Sequence, residues 1–384
     1  MSGQMGKNLS DIIAGYNASS PLAEACTIPS SWYVDARVAE LENEVVFGRN
    51  WQAVGRTDQV GESGQFFTAE VAGERIVVVR GADRELRAFY NVCRHHAAAV
   101  VTEAEGHAAN FRCPYHGWTY GTDGTLKGTP DFDGVCDFDR GKNGLAPVRV
   151  ATWENFVFVN LDAQSGPLDD FLGGLMKRVA PLQLDSLHFF ERRSYELNCN
   201  WKVYVDNFLD GGYHVPYLHK GLNSVLDYAN YTIENEDRFC LQSSPVETSS
   251  ANADADAAAT RQGNRAFYFW QYPNFMLNWY EGYLDTNLVL PISIDRCCVI
   301  FDFYFAGIGD AAKEYNQQSV GVSHRVQEED VGICEAVQRG LHSRAYVAGR
   351  LSVRREAGEH LFHRLLHADL KAGLARTTGL NGQS

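Results

Sequence analysis

Between about residue 50 and residue 162 the apolar positions come in short alternating or continuous runs. FFTAEVAG (66–73), RIVVVR (75–80) and LRAFYNV (86–92) are parted by turn sequences such as GADRE and GTDG. PVRVATWENFVFVNLD (147–162) reads as a hairpin closing this section, so the region is expected to be a small antiparallel β domain. The pattern then changes. PLDDFLGGLMKRVAPL (167–182) has a helical period, and RRSYELNCNWKVYVDNFLDGGYHVPYLH starts strand-like and turns helical after Trp201. AFYFWQYPNFMLNWY, LDTNLVLPISI and CCVIFDFYFAG are strand-rich, and helical stretches follow at about 323–340 and 355–372. Strands followed by helices predict an α+β fold in which helices pack on an antiparallel sheet. SANADADAAATRQGN (250–264) has few large apolar groups and reads as a mobile surface loop. The expected division is an N-terminal segment (1–45) packing on the second domain, a β domain (46–162) and a larger domain (163–384).

Composition narrows the function classes. With 45% hydrophobic and 21% charged residues, the 384-residue chain resembles a soluble globular protein. A net charge of −14 argues against a nucleic-acid partner, which calls for a basic stripe. No run approaches the roughly 18 apolar residues that cross a bilayer. The opening MSGQMGKNLSDIIAGYN lacks the apolar core of a signal peptide, so the cytoplasm is the expected location. Nine scattered cysteines, an odd count without a dense framework, speak against disulfides and leave metal binding open.

Two constellations carry chemistry. Cys93-Arg94-His95 and Cys113-Pro114-Tyr115-His116 are two Cys/His pairs with 17 residues between them. Four such ligands suit a structural Zn²⁺, for which an S₂N₂ set is common. They also suit a Rieske [2Fe–2S] centre, where two thiolates bind one iron and two imidazoles the other. In the second case each loop supplies one ligand to each iron, and a Cys and a His must lie close together twice over. The spacing fits that arrangement, whereas zinc sites more often pair Cys with Cys and His with His.

The second constellation is His214 and His219 in NWKVYVDNFLDGGYHVPYLHKGL (200–222). Five residues on an undistorted helix separate two side chains by about 140°. Both can face one metal only if the helix is broken, and Pro216 between them is the expected break. Two imidazoles and one carboxylate leave positions open for O₂ and substrate, the facial triad of non-haem Fe(II) oxygenases. A pair of histidines near a kinked helix also fits a core or surface role.

Together with PSSWYVD (29–35), NVCRHH, CPYHGWTYG, YPNFMLNWY, DTNLVLP and CEAVQRGL, these motifs resemble Rieske non-haem iron oxygenase α subunits. The likeness is strongest to choline monooxygenase and related quaternary-ammonium oxygenases, and it covers nearly the whole chain. It implies a Rieske domain ahead of, or inserted in, a helix-grip-like catalytic domain. It implies Cys93, His95, Cys113 and His116 as cluster ligands, His214 and His219 as iron ligands, and Asp330 in QEEDVGICEAVQ as the third, with Asn207 near the iron. Glu328, Glu329 and Glu335 read as a solvated helix face, and His96 is not a ligand. Many relatives carry an acid three residues before the first iron histidine, bridging to the neighbouring subunit's cluster. Here that position is Gly211, so Asp210 is the bridge candidate and Asp206 the runner-up, with a capping or structural role as the alternative for Asp206.

The resemblance further implies O₂ as co-substrate and a head-to-tail homotrimer that sets one subunit's cluster against the next subunit's iron. No G-x-G-x-x-G in a βαβ context is present (Gly307-Ile308-Gly309 lacks the third glycine), so a separate flavin or iron–sulfur reductase is expected to deliver electrons from NAD(P)H. The expected reaction is hydroxylation of choline to betaine aldehyde. The alternative is hydroxylation or N-demethylation of glycine betaine, carnitine or a similar trimethylammonium compound. Aromatic faces hold such a cation, each contributing about 0.5–2 kcal/mol. In FYFWQYPNFMLNWYEGY (267–283), Trp279, Tyr280 and Tyr283 are the candidate contacts, with Glu281 and Asp285 as counter-charges and strand core as the bland alternative.

Overall fold

In the run Ile76–Val79 successive side chains enter two different cores. Ile76 and Val78 pack with Phe67, Val157 and Val159, while Val77 and Val79 pack with Phe66, Phe111 and Trp118. A strand buried on both faces is expected to be a continuous β-branched run, which this is. It is the central feature of the first of two units into which the computed structural model divides. That unit is Asn43–Phe171; the other takes the residues up to Glu42 and those from Leu172 onward. The structure describes residues 8–249 and 252–380. Parts of three expected segments therefore lie outside the described residues: the first seven and last four positions, and Ser250 and Ala251 of the Ala/Asp-rich stretch.

The first unit has ten strands: β1 (Gln52–Arg56), β2 (Gln65–Val71), β3 (Glu74–Arg80), β4 (Leu86–Tyr90), β5 (Glu105–His107), β6 (Asn110–Arg112), β7 (Thr119–Gly121), β8 (Leu126–Gly128), β9 (Pro147–Trp153) and β10 (Phe156–Asn160). Seven form an antiparallel sheet in the order β1-β10-β9-β4-β3-β2-β5, and β6-β7-β8 form a small second sheet. The hairpin expected at 147–162 is β9 and β10, paired from Trp153↔Phe156 outward.

The second unit is built on β11 (His188–Leu197), β12 (Thr232–Glu236), β13 (Phe239–Pro245), β14 (Arg265–Gln271), β15 (Phe275–Tyr280), β16 (Tyr283–Ser293) and β17 (Arg296–Phe305). They make an antiparallel sheet in the order β11-β17-β16-β15-β14-β13-β12. The helices that shape its site are α1 (Trp201–Leu209), α2 (Val215–Leu218), α3 (Ala255–Thr260), α4 (Lys313–Leu341) and α5 (Ala357–Leu380). The α+β expectation thus holds: one mostly antiparallel β unit, and one antiparallel sheet carrying helices. No helix among the described residues is long and apolar enough to cross a membrane.

Three local readings need correction. Residues 167–182 are two short helices, Leu168–Leu172 and Gly174–Val179, separated at Gly173, whose φ is +52°. The stretch read as a mobile loop contains α3. Asp254 caps its N-terminus by accepting from Ala257 N–H at 2.9 Å, and Ala257 and Thr260 are buried. The cap and an alanine face small enough to pack closely supply what the lack of large apolar groups concealed. Strands β12 and β13 were not anticipated at all.

Helix α1 is buried on nearly every side, including Lys202, whose side chain is 0% exposed. Its ammonium lies 2.8 Å from Glu42 Oε1, and Glu42 Oε2 accepts from Trp201 Nε1 at 2.9 Å. Burial pulls the Lys202 pKa down and Glu42 opposes it. Glu42→Gln leaves an uncompensated buried cation, which costs about 3–5 kcal/mol. The expected result is a lower midpoint of thermal unfolding in the cofactor-loaded protein; an unchanged midpoint would show that Lys202 is neutral.

Candidate metal centres and active-site cavity

The two Cys/His loops of the first unit are built alike. Cys93 N–H donates to Ala98 O and Ala97 N–H to Cys93 O; Cys113 N–H donates to Trp118 O and Gly117 N–H to Cys113 O. In each, the residue four after the cysteine has a left-handed backbone, Ala97 at φ +59° and Gly117 at φ +72°. Asn91 ties the first loop down: its Oδ1 accepts from Val100 and Val101 N–H and its Nδ2 donates to Val101 O. The thiols of Cys93 and Cys113 are buried, and Tyr120 OH lies 3.3 Å from Cys93 Sγ while accepting from Arg94 N–H. The imidazoles of His95 and His116 meet at the rim with ring centroids 4.7 Å apart, and His95 lies flat on Trp118. His95 Nδ1 is buried and has no hydrogen-bond partner. A buried polar atom without a partner is costly unless something binds it. Buried thiols below, open imidazoles above and an orphaned ring nitrogen between them fit a cluster with one thiolate-bound and one imidazole-bound iron. His96 meets His95 edge-on, with ring centroids 4.1 Å apart, and is exposed.

The second centre starts where α1 ends. Gly211 and Gly212 both have positive φ, +68° and +67°, and a Cβ at Gly211 would lie 2.1 Å from Arg355 O. No side chain fits there. The acid sits one residue earlier, where Asp210 Oδ1 accepts from Tyr213 N–H and Oδ2 from His214 N–H, both at 3.0 Å. His214 and His219 flank α2. Pro216 falls in the first turn of that short helix, where its missing N–H costs nothing, so the break expected at Pro216 is absent there and the helical turn ends at His219, whose ψ is +71°.

The imidazoles stand at 82° to each other with centroids 4.8 Å apart. Each spends Nδ1 on a carboxylate: His214 on Asp210 and His219 on Glu329, both at 2.6 Å. That leaves both Nε2 atoms aimed at Asp330 Oδ1, at 3.9 Å for His214 and 3.1 Å for His219. The three ligating atoms all lie within 4.8 Å of one another. Asn207 Nδ2 donates to Asp330 Oδ1 at 2.8 Å. Burial works against protonation of His219, but Asp330 and Glu329 outweigh it and hold its pKa above the ordinary value. Carboxylates around two imidazoles are a site that calls for positive charge, and the His–carboxylate contacts on the far ring nitrogens are the usual outer support of a metal.

Asp206 goes elsewhere. It accepts from Tyr33 OH at 2.5 Å and lies 3.0 Å from His363 Nε2, so it takes no part in holding His214. Glu329 and Glu335 also correct the sequence reading. Glu329 supports His219, and Glu335 Oε1 accepts from Asn198 N–H and Nδ2.

A cavity opens beside the triad. Helix α4 contributes Ser323, Val326, Gln327 and Asp330, spaced i, i+3, i+4, i+7, and the sheet contributes the rung Gln242, Tyr268, Asn278 and Asp285, each paired to the next across neighbouring strands. Tyr231, Tyr268, Tyr280 and Phe208 give it aromatic walls, with Tyr268 OH and Tyr280 OH 2.5 Å apart. Tyr280 is therefore where the sequence suggested. Trp279 points to the other face of β15, against Phe267, because strand alternation separates it from Tyr280. Tyr283 lies behind the lining, its OH donating to Asp285. Tyr231, Tyr268 and Arg261 were missed; only the parity of Tyr268 with Gln242 and Asn278 could have marked one of them.

Residues 50–140 match the family described as the Rieske [2Fe-2S] domain, and 184–371 the catalytic domain of the ring hydroxylating alpha subunit. The chain is 39% identical over 375 residues to a chloroplastic choline monooxygenase of Arabidopsis thaliana, covering 95% of this chain and 87% of the relative. It is 33% identical to the carnitine monooxygenase oxygenase subunit of Escherichia coli strain K12, covering 88% of this chain and 91% of the relative. A solved quaternary ammonium Rieske monooxygenase, described for its carnitine oxidation and inter-subunit electron transfer, superposes with a TM-score of 0.81. That structure is 27% identical, and the match covers 95% of this chain and 98% of that one. The matched cluster domain decides between zinc and iron–sulfur at the Cys/His loops. The chain belongs to the Rieske non-haem iron oxygenase α subunits, oxidoreductases that use a [2Fe–2S] cluster, a mononuclear iron and O₂.

Proposed function

We propose that the protein is a monooxygenase of small quaternary ammonium compounds, with choline as its substrate and betaine aldehyde hydrate as its product. The observation that carries this reading is a His214–His219–Asp330 set opening onto a cavity walled by tyrosines. A trimethylammonium group offers no hydrogen-bond donor, and aromatic faces are the groups that bind it. The 39% identical relative is a choline monooxygenase and the 33% identical one a carnitine monooxygenase, which supports the substrate class.

In this reading Cys93 and Cys113 hold one iron of the cluster and His95 and His116 the other. His214, His219 and Asp330 hold the mononuclear iron, which when bound supplies the O₂-activating chemistry. Asp210 and Glu329 fix the imidazole orientation, Asn207 holds Asp330 in place, and the tyrosines orient the substrate. One oxygen atom enters a C–H bond and the other leaves as water, with two electrons and two protons supplied from outside. A separate reductase brings the electrons from NAD(P)H. Asp210 links the iron to the cluster of the next subunit in a homotrimer, and the inter-subunit electron transfer of the solved relative supports that arrangement. O₂ uptake with a reductase, across choline, glycine betaine, carnitine and a tertiary amine, tests the proposal. Uptake coupled to product is expected with choline; uptake with none of the quaternary compounds overturns it.

A further inference from the structure

The wall of the cavity carries two charges that the iron site does not use. Arg261, just after α3, is 3% exposed and lines the cavity. Its guanidinium lies 4.8 Å from the centre of the Tyr283 ring and 5.1 Å from that of Tyr280. Its hydrogen bonds go to hydroxyls: Ser319 and Ser323 at 2.8 Å, and Thr260 at 3.5 Å. Asp285, 4% exposed, is surrounded by donors. It accepts from Tyr283 OH at 2.5 Å, Asn278 Nδ2 at 2.6 Å, Ser323 Oγ at 3.1 Å and Asn287 Nδ2 at 3.5 Å. Two amide NH₂ groups and two hydroxyls face the carboxylate, a setting that favours its ionised form. Ser323 accepts from Arg261 and donates to Asp285, so a single hydroxyl joins the two charges. Burial raises the Asp285 pKa, and Tyr283, Asn278 and Arg261 oppose that rise. A buried charge persists when it is paired, and this pair is complete without a ligand.

We infer that the Arg261–Ser323–Asp285 unit selects substrates by their net charge. As built, Asp285 cancels Arg261, and a net cation such as choline meets a balanced wall. A trimethylammonium carboxylate must bring its anion as close to Asp285 as to Arg261 and gains nothing. Ser323 is seven residues from Asp330, about 10 Å along α4 at 1.5 Å per residue, so the unit reads the end of the substrate remote from the iron. Removing Asp285 leaves an unopposed guanidinium, which repels a cation and attracts a carboxylate.

This inference rests on the quaternary-ammonium reading above. The test is the ratio of kcat/KM for choline to that for glycine betaine in the loaded enzyme, wild type against Asp285→Asn and Ser323→Ala. The wild-type ratio is expected above one, and Asp285→Asn is expected to lower it at least about tenfold. Ser323→Ala keeps both charges, cuts their connection, and is expected to move the ratio the same way by less. It carries the test if Asp285→Asn loses its metals. A wild-type preference for glycine betaine overturns the inference and leaves the enzyme class standing, as does a ratio unmoved in the folded variants. Uptake with no quaternary ammonium overturns both. A purely structural Asp285 would slow both substrates together and leave the ratio where it was.

Discussion

Purified His214→Ala and Asp330→Ala proteins are expected to be brown, with cluster iron and acid-labile sulfide intact, and to lack mononuclear iron. Substrate-dependent O₂ uptake should fall at least about a thousandfold, well past the roughly 10–100-fold that loss of an outer support costs. The reason is geometric. His214 Nε2 and His219 Nε2 converge on a single oxygen of Asp330, and two ligands cannot hold a facial site that three define. Because the cluster loops belong to a different unit with its own core, their spectrum should be unaffected. Uptake surviving in either variant would sink the assignment of the iron ligands.

The same variants show how far the sequence could be read. Both constellations were visible because they rest on spacing: a Cys and a His close together twice, and two histidines five apart. The central strand of the first unit was visible as a continuous β-branched run, because Ile76 and Val78 pack into one core and Val77 and Val79 into another. What could not be read depends on tertiary pairing. Arg261 follows an Ala/Asp-rich stretch with no apolar signature, and its partners Ser319 and Ser323 arrive from a helix more than fifty residues later. Glu329 looked like a solvated helix face because its side chain is 43% exposed, yet its inner oxygen reaches His219. Trp279 was a candidate contact and Tyr268 was not, yet strand parity turns Tyr268 into the cavity and Trp279 away from it. Even Gly211, legible as a departure from relatives, acquires its reason only from Arg355, whose carbonyl occupies the space a side chain would need.

The acid just before that glycine gives the second large effect. Asp210→Asn should retain both metals and still lose steady-state turnover by about a hundredfold, the upper range for an outer-shell carboxylate. Asp210 Oδ2 accepts from His214 Nδ1 at 2.6 Å, and both side chains keep some surface exposed, 15% for Asp210 and 21% for His214. An amide has one acceptor oxygen in place of two, so it keeps only one of the backbone caps at Tyr213 and His214 and cannot serve as a charged acceptor for the ring N–H. The decisive comparison is between two modes of supplying electrons. Enzyme reduced chemically beforehand, then given O₂ and substrate, should form nearly the wild-type amount of product once. Enzyme fed by its reductase should stall if, as proposed, Asp210 carries electrons from the neighbouring subunit. Glu329→Gln is the control, since Glu329 makes the same 2.6 Å contact to the other histidine. If Asp210 is the link, Glu329→Gln weakens iron retention without separating the two modes. Should Glu329→Gln separate them and Asp210→Asn not, the route runs through His219, and the glycine at position 211 is a packing necessity with no bearing on electron transfer.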